Sequence, residues 1–106
     1  MNVPRVINTY FDADTRQDAE AMMASFSDNP VVEDDAARHQ GADAIRSWWM
    51  AAKRETQYLA EPLEGRVDGP STTIRARVSG QFPGSPIILT YTFLVENDRI
   101  ARLEIK

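Results

Sequence analysis

The sequence contains no cysteine and only one histidine, His39. The absence of thiols excludes disulfide bonds, thiolate metal sites and cysteine nucleophiles. One histidine is too few for a zinc site with several imidazole ligands, and it argues against a Ser-His-Asp triad. A metal site built from His39 and the nearby acidic residues would have weak support. We therefore expect neither a metal nor another cofactor.

Basic runs and long apolar runs are also missing. The 12 Lys and Arg residues are scattered among 16 Asp and Glu residues, and the net charge is −4. Nucleic-acid binding therefore has no electrostatic basis in this sequence. No stretch approaches the ~20 apolar residues of a membrane span, and the first residues do not resemble a signal peptide. We expect a cytoplasmic protein that binds neither nucleic acid nor membrane.

The spacing of apolar residues predicts two helices near the N-terminus. In the first, apolar side chains recur at i, i+3, i+4 and i+7 on one face. That face carries Val3, Val6, Ile7, Tyr10 and Phe11. The segment Asp12-Ala13-Asp14 should end this helix, and Asp14 with Gln17 matches a capping box that starts the second helix. The second helix should place Phe26 on its apolar face and stop before Pro30, which cannot continue a helix.

Further along the chain, residues 31–34 form a short β-branched run that predicts a small strand, and a polar loop should follow over residues 35–40. A third helix is predicted over residues 42–57 by the same helical spacing of apolar side chains. Its apolar face carries Ile45, Trp48, Trp49 and Ala52. The hydrophobic period then changes to two, which predicts strands. These strands are expected over residues 58–67, 71–82, 87–96 and 99–106.

Helices in the first half and strands in the second half are typical of an α+β domain. A chain of 106 residues matches one domain, residues 1–106. We predict three N-terminal helices packed on one face of a curved, mostly antiparallel sheet. The strand over residues 87–96 is apolar on both faces, so the outer sheet face needs a cover. A second copy of the chain is the simplest cover, which predicts a homodimer through the outer sheet face.

Three segments resemble the nuclear transport factor 2-like superfamily. They are the helix that carries Tyr10, residues 26–34 (FSDNPVVED) and residues 41–49 (GADAIRSWW). The similarity extends over almost the whole chain in the order of its elements, and it is greatest to the SnoaL-like polyketide cyclases and the ketosteroid isomerases. The resemblance implies a cone-shaped α+β barrel. The superfamily includes isomerases, cyclases, dehydratases, hydrolases and proteins without catalytic activity, so the fold does not fix the activity.

The ketosteroid isomerase pattern assigns roles to three residues. In those enzymes a tyrosine on the first helix and a protonated acid on a late strand form an oxyanion hole, and an aspartate on the first strand moves the proton. By motif, Tyr10 matches the tyrosine and Asp34 matches the proton-transfer residue. The late-strand position falls near Tyr91, which departs from the pattern, although a tyrosine hydroxyl also donates a hydrogen bond. The resemblance thus implies catalytic roles for Asp34, Tyr10 and Tyr91.

Each of these residues also has an ordinary structural interpretation. Asp34 follows two valines and would enter an apolar cavity if its strand face points inward, or it belongs to a solvated acidic loop. Tyr10 and Tyr91 lie on apolar faces, where each ring either packs in the core or borders a ligand pocket. Phe93, on the same strand face as Tyr91, is either core or pocket wall.

Trp48, Trp49 and His39 are the remaining candidates for ligand contacts. Adjacent helix residues point about 100° apart, so one tryptophan should anchor the third helix on the sheet. The other should line the pocket or the dimer contact. His39, in the predicted polar loop, could act as an acid or base near neutral pH or gate the pocket, or it is simply solvated.

We expect the protein to bind a small apolar carbonyl or polycyclic compound. Cofactor-independent proton transfer of the isomerase, cyclase or dehydratase type is the chemistry that an Asp34 base and tyrosine donors would support. The alternative is a non-catalytic ligand-binding or dimerisation module of the same fold.

Overall fold

The computed structural model describes residues 2–106, which form three helices and six strands. In chain order these are α1 (Arg5–Arg16), α2 (Ala19–Ala24), β1 (Phe26–Asp34), β2 (Ala37–Gln40), α3 (Ala42–Thr56), β3 (Leu59–Asp68), β4 (Ser71–Ser79), β5 (Ile87–Glu96) and β6 (Arg99–Ile105). Within these residues, no helix combines the length and the apolar character that a membrane crossing requires.

All six strands belong to one sheet with the order β2-β1-β6-β5-β4-β3. Neighbouring strands are antiparallel except β1 and β6, which run parallel. The predicted α+β class, with three helices and a mostly antiparallel sheet, is confirmed. The third helix and the last four strands also lie where the hydrophobic periods predict them, with bounds that differ by a few residues at most.

Helix α1 continues through Asp14 to Arg16, so the predicted end at residues 12–14 is wrong. The reason is that Asp14 is buried and its carboxylate accepts hydrogen bonds from two side chains of the interior. It therefore faces the core and does not cap the second helix. The N-cap of α2 is instead Asp18, whose side chain accepts a 3.1 Å hydrogen bond from the N–H of Ala21.

The second helix is shorter, and the first strand longer, than the sequence pattern predicts. Helix α2 ends at Ala24 and β1 begins at Phe26, which pairs with Ile100 of β6. The expectation that Phe26 lies on a helix face is wrong, because main-chain pairing with β6 extends the strand back to this residue. The register shifts between Phe26 and Val31. Such an irregularity accommodates Pro30, which has no N–H to donate.

Strands β1 and β2 form a hairpin where the sequence predicts a polar loop. Asp35 and Ala36 make the turn with φ values of 52° and 64°, as in a two-residue type I′ turn. Residues 37–40 then pair with β1, and His39 lies opposite Val32. The predicted loop over residues 35–40 is therefore wrong beyond the turn. The turn contains neither glycine nor asparagine, so the local sequence carries little hairpin signal.

The helices pack against the inner face of the sheet and bury one continuous core. The helices contribute Ile7, Tyr10, Phe11, Met22, Ile45 and Trp49. The inner face of the last three strands contributes Ile74, Ala76, Val78, Tyr91, Phe93, Ile100, Leu103 and Ile105. Beside the C-terminal half of α3, this core borders a cavity.

Candidate functional site: the cavity beside Asp34

A cavity of about 320 Å³ lies between the C-terminal half of α3, the end of β1 and the inner face of β4 and β5. Its polar groups come from Asp34, Asp35, Thr56, Tyr58 and Tyr91. Its apolar walls are Trp48, Ala52, Val78, Phe82, Ile87, Leu89 and Ile105. An apolar cavity with a few polar groups is the usual form of a site for a small molecule.

Asp34, the last residue of β1, brings a carboxylate to this cavity. Its Oδ2 accepts a 3.0 Å hydrogen bond from the indole Nε1–H of Trp48. Within residues 2–106, no hydrogen bond engages Oδ1 of Asp34. The imidazole ring of His39 on β2 packs beside the indole ring of Trp48, and the two ring centroids are 5.9 Å apart. One carboxylate oxygen is therefore fixed, and the other is free to contact a ligand.

Tyr91 lines the same cavity from β5. The residue is only 3% exposed, and this burial raises the pKa of its hydroxyl, with the charges of Asp14 and Asp34 adding to the shift. The hydroxyl therefore stays protonated and neutral near physiological pH. It can donate a hydrogen bond to a ligand oxygen.

Tyr10 and Phe93 are not among the residues that line the cavity. Both are fully buried, and the centroid of the Tyr10 ring lies 5.3 Å from that of Phe93 and 6.5 Å from that of Tyr91. Burial raises the pKa of the Tyr10 hydroxyl well above its usual value, and Tyr58 and Asp14 raise it further. Tyr10 is thus a neutral tyrosine of the core that contacts the cavity through Tyr91.

The sequence interpretation missed a second carboxylate next to the cavity, that of Asp14. Asp14 on α1 is 1% exposed. Its Oδ1 accepts a 2.8 Å hydrogen bond from Nε1–H of Trp49 and a 2.7 Å hydrogen bond from the hydroxyl of Tyr58. Because Tyr58 lines the cavity, only one side chain separates Asp14 from the cavity.

Lys53 on α3 balances the charge of Asp14. Its Nζ lies 3.3 Å from Oδ2 of Asp14, donates a 2.9 Å hydrogen bond to the backbone carbonyl of Tyr58 and is 3.8 Å from the centroid of the Tyr58 ring. Desolvation lowers the pKa of Lys53, and the Asp14 carboxylate opposes this shift. Lys53 therefore holds both Asp14 and Tyr58 in place.

The spacing of residues along α1 and along α3 contains a sequence signal for the pairing of Asp14 with Lys53. Asp14 follows Ile7 by seven residues and Tyr10 by four, so it continues the buried face of α1. Lys53 follows Trp49 by four residues and likewise continues the buried face of α3. Buried charges need partners. An acid and a base that each extend an apolar helix face are therefore expected to pair.

The adjacent tryptophans contact different carboxylates. Trp49 is buried, donates to Asp14 and does not line the cavity. Trp48 is half-buried, lines the cavity and donates to Asp34. One turn of α3 therefore links the carboxylate of the core to the carboxylate of the cavity.

A family model for the SnoaL-like domain matches residues 7–103. The chain belongs to the SnoaL-like domain family. The resemblance seen in the sequence is therefore confirmed at the level of the family. No protein with a curated description matches the chain.

Several solved structures are similar to this SnoaL-like chain. A protein of Sinorhizobium meliloti that bears the provisional name polyketide cyclase is 54% identical, with a TM-score of 0.98, over 100% of this chain and 97% of that chain. A protein of Catenulispora acidiphila with a ketosteroid isomerase-like fold, in complex with trimethylamine, is 17% identical, with a TM-score of 0.86, over 99% and 86% of the two chains. A SnoaL-like protein of unknown function from Burkholderia thailandensis is 16% identical, with a TM-score of 0.81, over 96% and 91%. The last two similarities show the shared fold alone.

The two tryptophans should differ in their contribution to stability. Trp49→Phe removes a donor from the fully buried Asp14, which should lower the free energy of unfolding by about 1–3 kcal/mol. Trp48→Phe should have a smaller effect, because water can reach the half-buried Asp34. Urea denaturation of both variants measures the difference. An equal loss in the two variants would contradict the assigned partners.

The tyrosines make the stability depend on pH in the alkaline range. All three tyrosines of the chain, Tyr10, Tyr58 and Tyr91, have pKa values that burial raises above 10.0. The unfolded chain therefore releases protons near pH 10 that the folded chain retains, so this stabilisation is complete below about pH 10 and is lost as the pH rises further. We expect tyrosinate absorbance to appear only together with the loss of the far-ultraviolet circular dichroism signal. Tyrosinate absorbance near pH 10 in a folded protein would refute the burial of these hydroxyls.

Proposed function

We propose that this SnoaL-like protein binds a small apolar carbonyl compound in the cavity and moves a proton on it, with Asp34 as the base. One observation carries the proposal. The Asp34 carboxylate, with one oxygen unengaged by residues 2–106, lines the same apolar cavity as the neutral hydroxyl of Tyr91. A base and a neutral hydrogen-bond donor around one apolar space are the groups that enolisation of a ketone requires.

In this mechanism the ligand carbonyl accepts a hydrogen bond from the Tyr91 hydroxyl. Oδ1 of Asp34 removes a proton from the carbon next to the carbonyl, and the electron pair of the broken C–H bond forms an enolate. The hydrogen bond from Tyr91 strengthens as negative charge develops on the ligand oxygen. The proton then returns to the same carbon or, where a neighbouring C=C bond extends the enolate to a dienolate, to the far carbon of that bond, which completes an isomerisation. Tyr10, which does not line the cavity, would support Tyr91 rather than contact the ligand.

The size of the cavity suits a small-molecule ligand. Its volume of about 320 Å³ lies near the lower limit of ligand sites, which span roughly 300–1,000 Å³. At the packing density of about 0.75 found in protein interiors, it would hold roughly 240 Å³ of ligand. This volume accommodates a carbonyl compound of two fused rings.

The 54% identical relative supports a carbonyl ligand through its provisional name, polyketide cyclase. Polyketides are chains rich in ketone groups, and a cyclase that acts on them must handle acidic hydrogens next to carbonyls. The proposed roles of Asp34 and Tyr91 are compatible with that chemistry.

Deuterium exchange into α-tetralone, a ketone of two fused rings, tests the proton transfer. We expect the wild-type protein in deuterium oxide to accelerate the loss of the proton NMR signal from the carbon next to the carbonyl. Asp34→Asn should lower this acceleration by about 10²-fold or more, since general bases contribute roughly 10²–10⁴-fold. Its affinity for α-tetralone should remain within a fewfold of that of the wild type.

The matched control is Asp98→Asn, because Asp98 is an exposed acid that does not line the cavity and its φ of 61° suits asparagine. This variant should exchange at the wild-type rate. Undiminished exchange in Asp34→Asn would contradict the base assignment, and failure of the wild type to bind α-tetralone would contradict the proposed ligand class.

Binding without accelerated exchange would favour the second candidate, a non-catalytic ligand-binding protein. The ketosteroid isomerases carry an acid at the late-strand position where this chain has Tyr91. This difference favours the non-catalytic candidate.

We also propose that the protein forms a homodimer through the outer face of the sheet. Ile88 on this face of β5 is 44% exposed and pairs in register with Arg77 of β4. Arg77 forms a 2.8 Å ion pair with Glu61 of β3. An apolar side chain beside alternating basic and acidic groups can be covered by a second copy with complementary charges.

Light scattering tests the homodimer. The wild-type protein should have twice the mass of one chain, and Ile88→Asp should have the mass of a monomer. Met50→Asp is the matched control, because Met50 is similarly exposed, at 46%, but lies on α3 on the other side of the sheet. A monomeric wild type, or an Ile88→Asp variant that remains dimeric, would exclude this interface.

A further inference from the structure

Two tyrosines, Tyr58 and Tyr91, line the cavity, and their hydroxyl protons are engaged differently. The Tyr58 hydroxyl donates its proton to Oδ1 of Asp14 over 2.7 Å. The same oxygen also accepts from Trp49, and Lys53 lies 3.3 Å from the other carboxylate oxygen. With a cation and two donors around it, the carboxylate acts as an acceptor, so the Tyr58 proton points towards Asp14. The Tyr91 hydroxyl, in contrast, donates to no group within residues 2–106.

Tyr58 therefore offers the cavity an oxygen that can accept a hydrogen bond. Its side chain is among those that line the cavity. Burial raises the pKa of its hydroxyl, and Asp14, Tyr91 and Asp34 raise it further, so the hydroxyl keeps its proton near neutral pH. A hydroxyl oxygen keeps acceptor capacity when its proton is donated elsewhere. Donation to a carboxylate also makes that oxygen a better acceptor, because hydrogen bonds in a chain polarise one another.

The position of Tyr58 is fixed from several sides. Lys53 donates to its backbone carbonyl and packs 3.8 Å from the centroid of its ring. Gly80, at the end of β4, approaches so closely that an added Cβ would lie 2.8 Å from Cα of Tyr58 and 2.7 Å from the carbonyl oxygen of Thr56. A side chain held in this way can discriminate between ligands, since a fixed polar group cannot move to suit a wrong partner.

We propose that Tyr58 determines ligand specificity as a hydrogen-bond acceptor, and that Asp14 is the residue that positions its proton. The ligand class is then narrower than an apolar ketone. It is a hydroxy ketone or phenolic ketone, whose carbonyl accepts from Tyr91 and whose hydroxyl donates to Tyr58. This inference rests on the proposed function, because it assumes that the carbonyl compound binds in the same cavity.

The experiment compares two ligands that differ in one donor. In 6-hydroxy-α-tetralone a hydroxyl lies on the ring opposite the carbonyl, and in 6-fluoro-α-tetralone a fluorine of similar size replaces it and cannot donate. Isothermal titration calorimetry gives both dissociation constants. We expect the wild-type protein to bind the hydroxy compound roughly three- to tenfold more tightly, which is the usual contribution of one added hydrogen bond.

Matched tyrosine variants identify the acceptor. Tyr58→Phe keeps the ring and removes the oxygen, so the preference for the hydroxy compound should disappear. Tyr91→Phe is the control, because it should weaken the binding of both ketones and leave their ratio unchanged. A preference that persists in Tyr58→Phe would overturn the role of Tyr58, and equal affinities in the wild type would overturn it whether or not the variant folds.

Asp14→Asn tests the positioning role. An asparagine amide can donate to Tyr58 and release the Tyr58 proton towards the cavity, so the preference for the hydroxy compound should fall or reverse. If Asp14 has a purely structural role, the variant should bind both ketones more weakly and the ratio of their dissociation constants should stay unchanged. That result would overturn the positioning role of Asp14. Failure of the wild type to bind either ketone would instead overturn the proposed function. Binding of both ketones without preference would overturn the specificity inference alone.

Discussion

Asp14 is a carboxylate in the protein interior, and such a group needs hydrogen-bond donors or a cation beside it. Its partners come from separate parts of the chain, since Trp49 and Lys53 lie on α3 and Tyr58 precedes β3. Removing Lys53, the charged partner of this buried ion pair, would cost about 3–5 kcal/mol. The contacts of Asp14 with Trp49 and Lys53 therefore hold α1 against α3. Its contact with Tyr58 holds the segment that connects α3 to the sheet.

One polar residue of the cavity, Tyr58, belongs to this network, and a second, Asp34, is held by the neighbouring residue of α3. Trp48 and Trp49 are adjacent on α3, and each donates its indole N–H to a different carboxylate, Asp34 in the cavity and Asp14 in the core. Tyr58 extends the network into the cavity wall. The orientation of the proposed base and the direction of the Tyr58 proton thus depend on the placement of one helix. This dependence is the kind of support by outer groups that precise sites require.

Periodicity was sufficient to predict α3, the four strands after it and the mostly antiparallel sheet. It failed where a non-local partner decides the structure. Phe26 fits a helix face equally well, and only pairing with Ile100 places it in β1. Asp14 resembles a helix stop, although its spacing also continues the buried face of α1, and its buried donors decide between the two. Of the predicted site residues, the structure brings Asp34, Trp48 and Tyr91 to one cavity. Tyr58 lacked any local signal of function, because its role depends on Asp14.

The most direct measurement is a crystal structure of the protein with 6-hydroxy-α-tetralone. We expect the ligand in the cavity beside Asp34, with its hydroxyl about 2.7–3.0 Å from the Tyr58 oxygen. Its carbonyl should accept from Tyr91, and Oδ1 of Asp34 should face the carbon next to that carbonyl. A ligand bound elsewhere, or one whose carbonyl lies at Tyr58 and whose hydroxyl lies at Tyr91, would contradict the account of how Asp14 arranges this cavity.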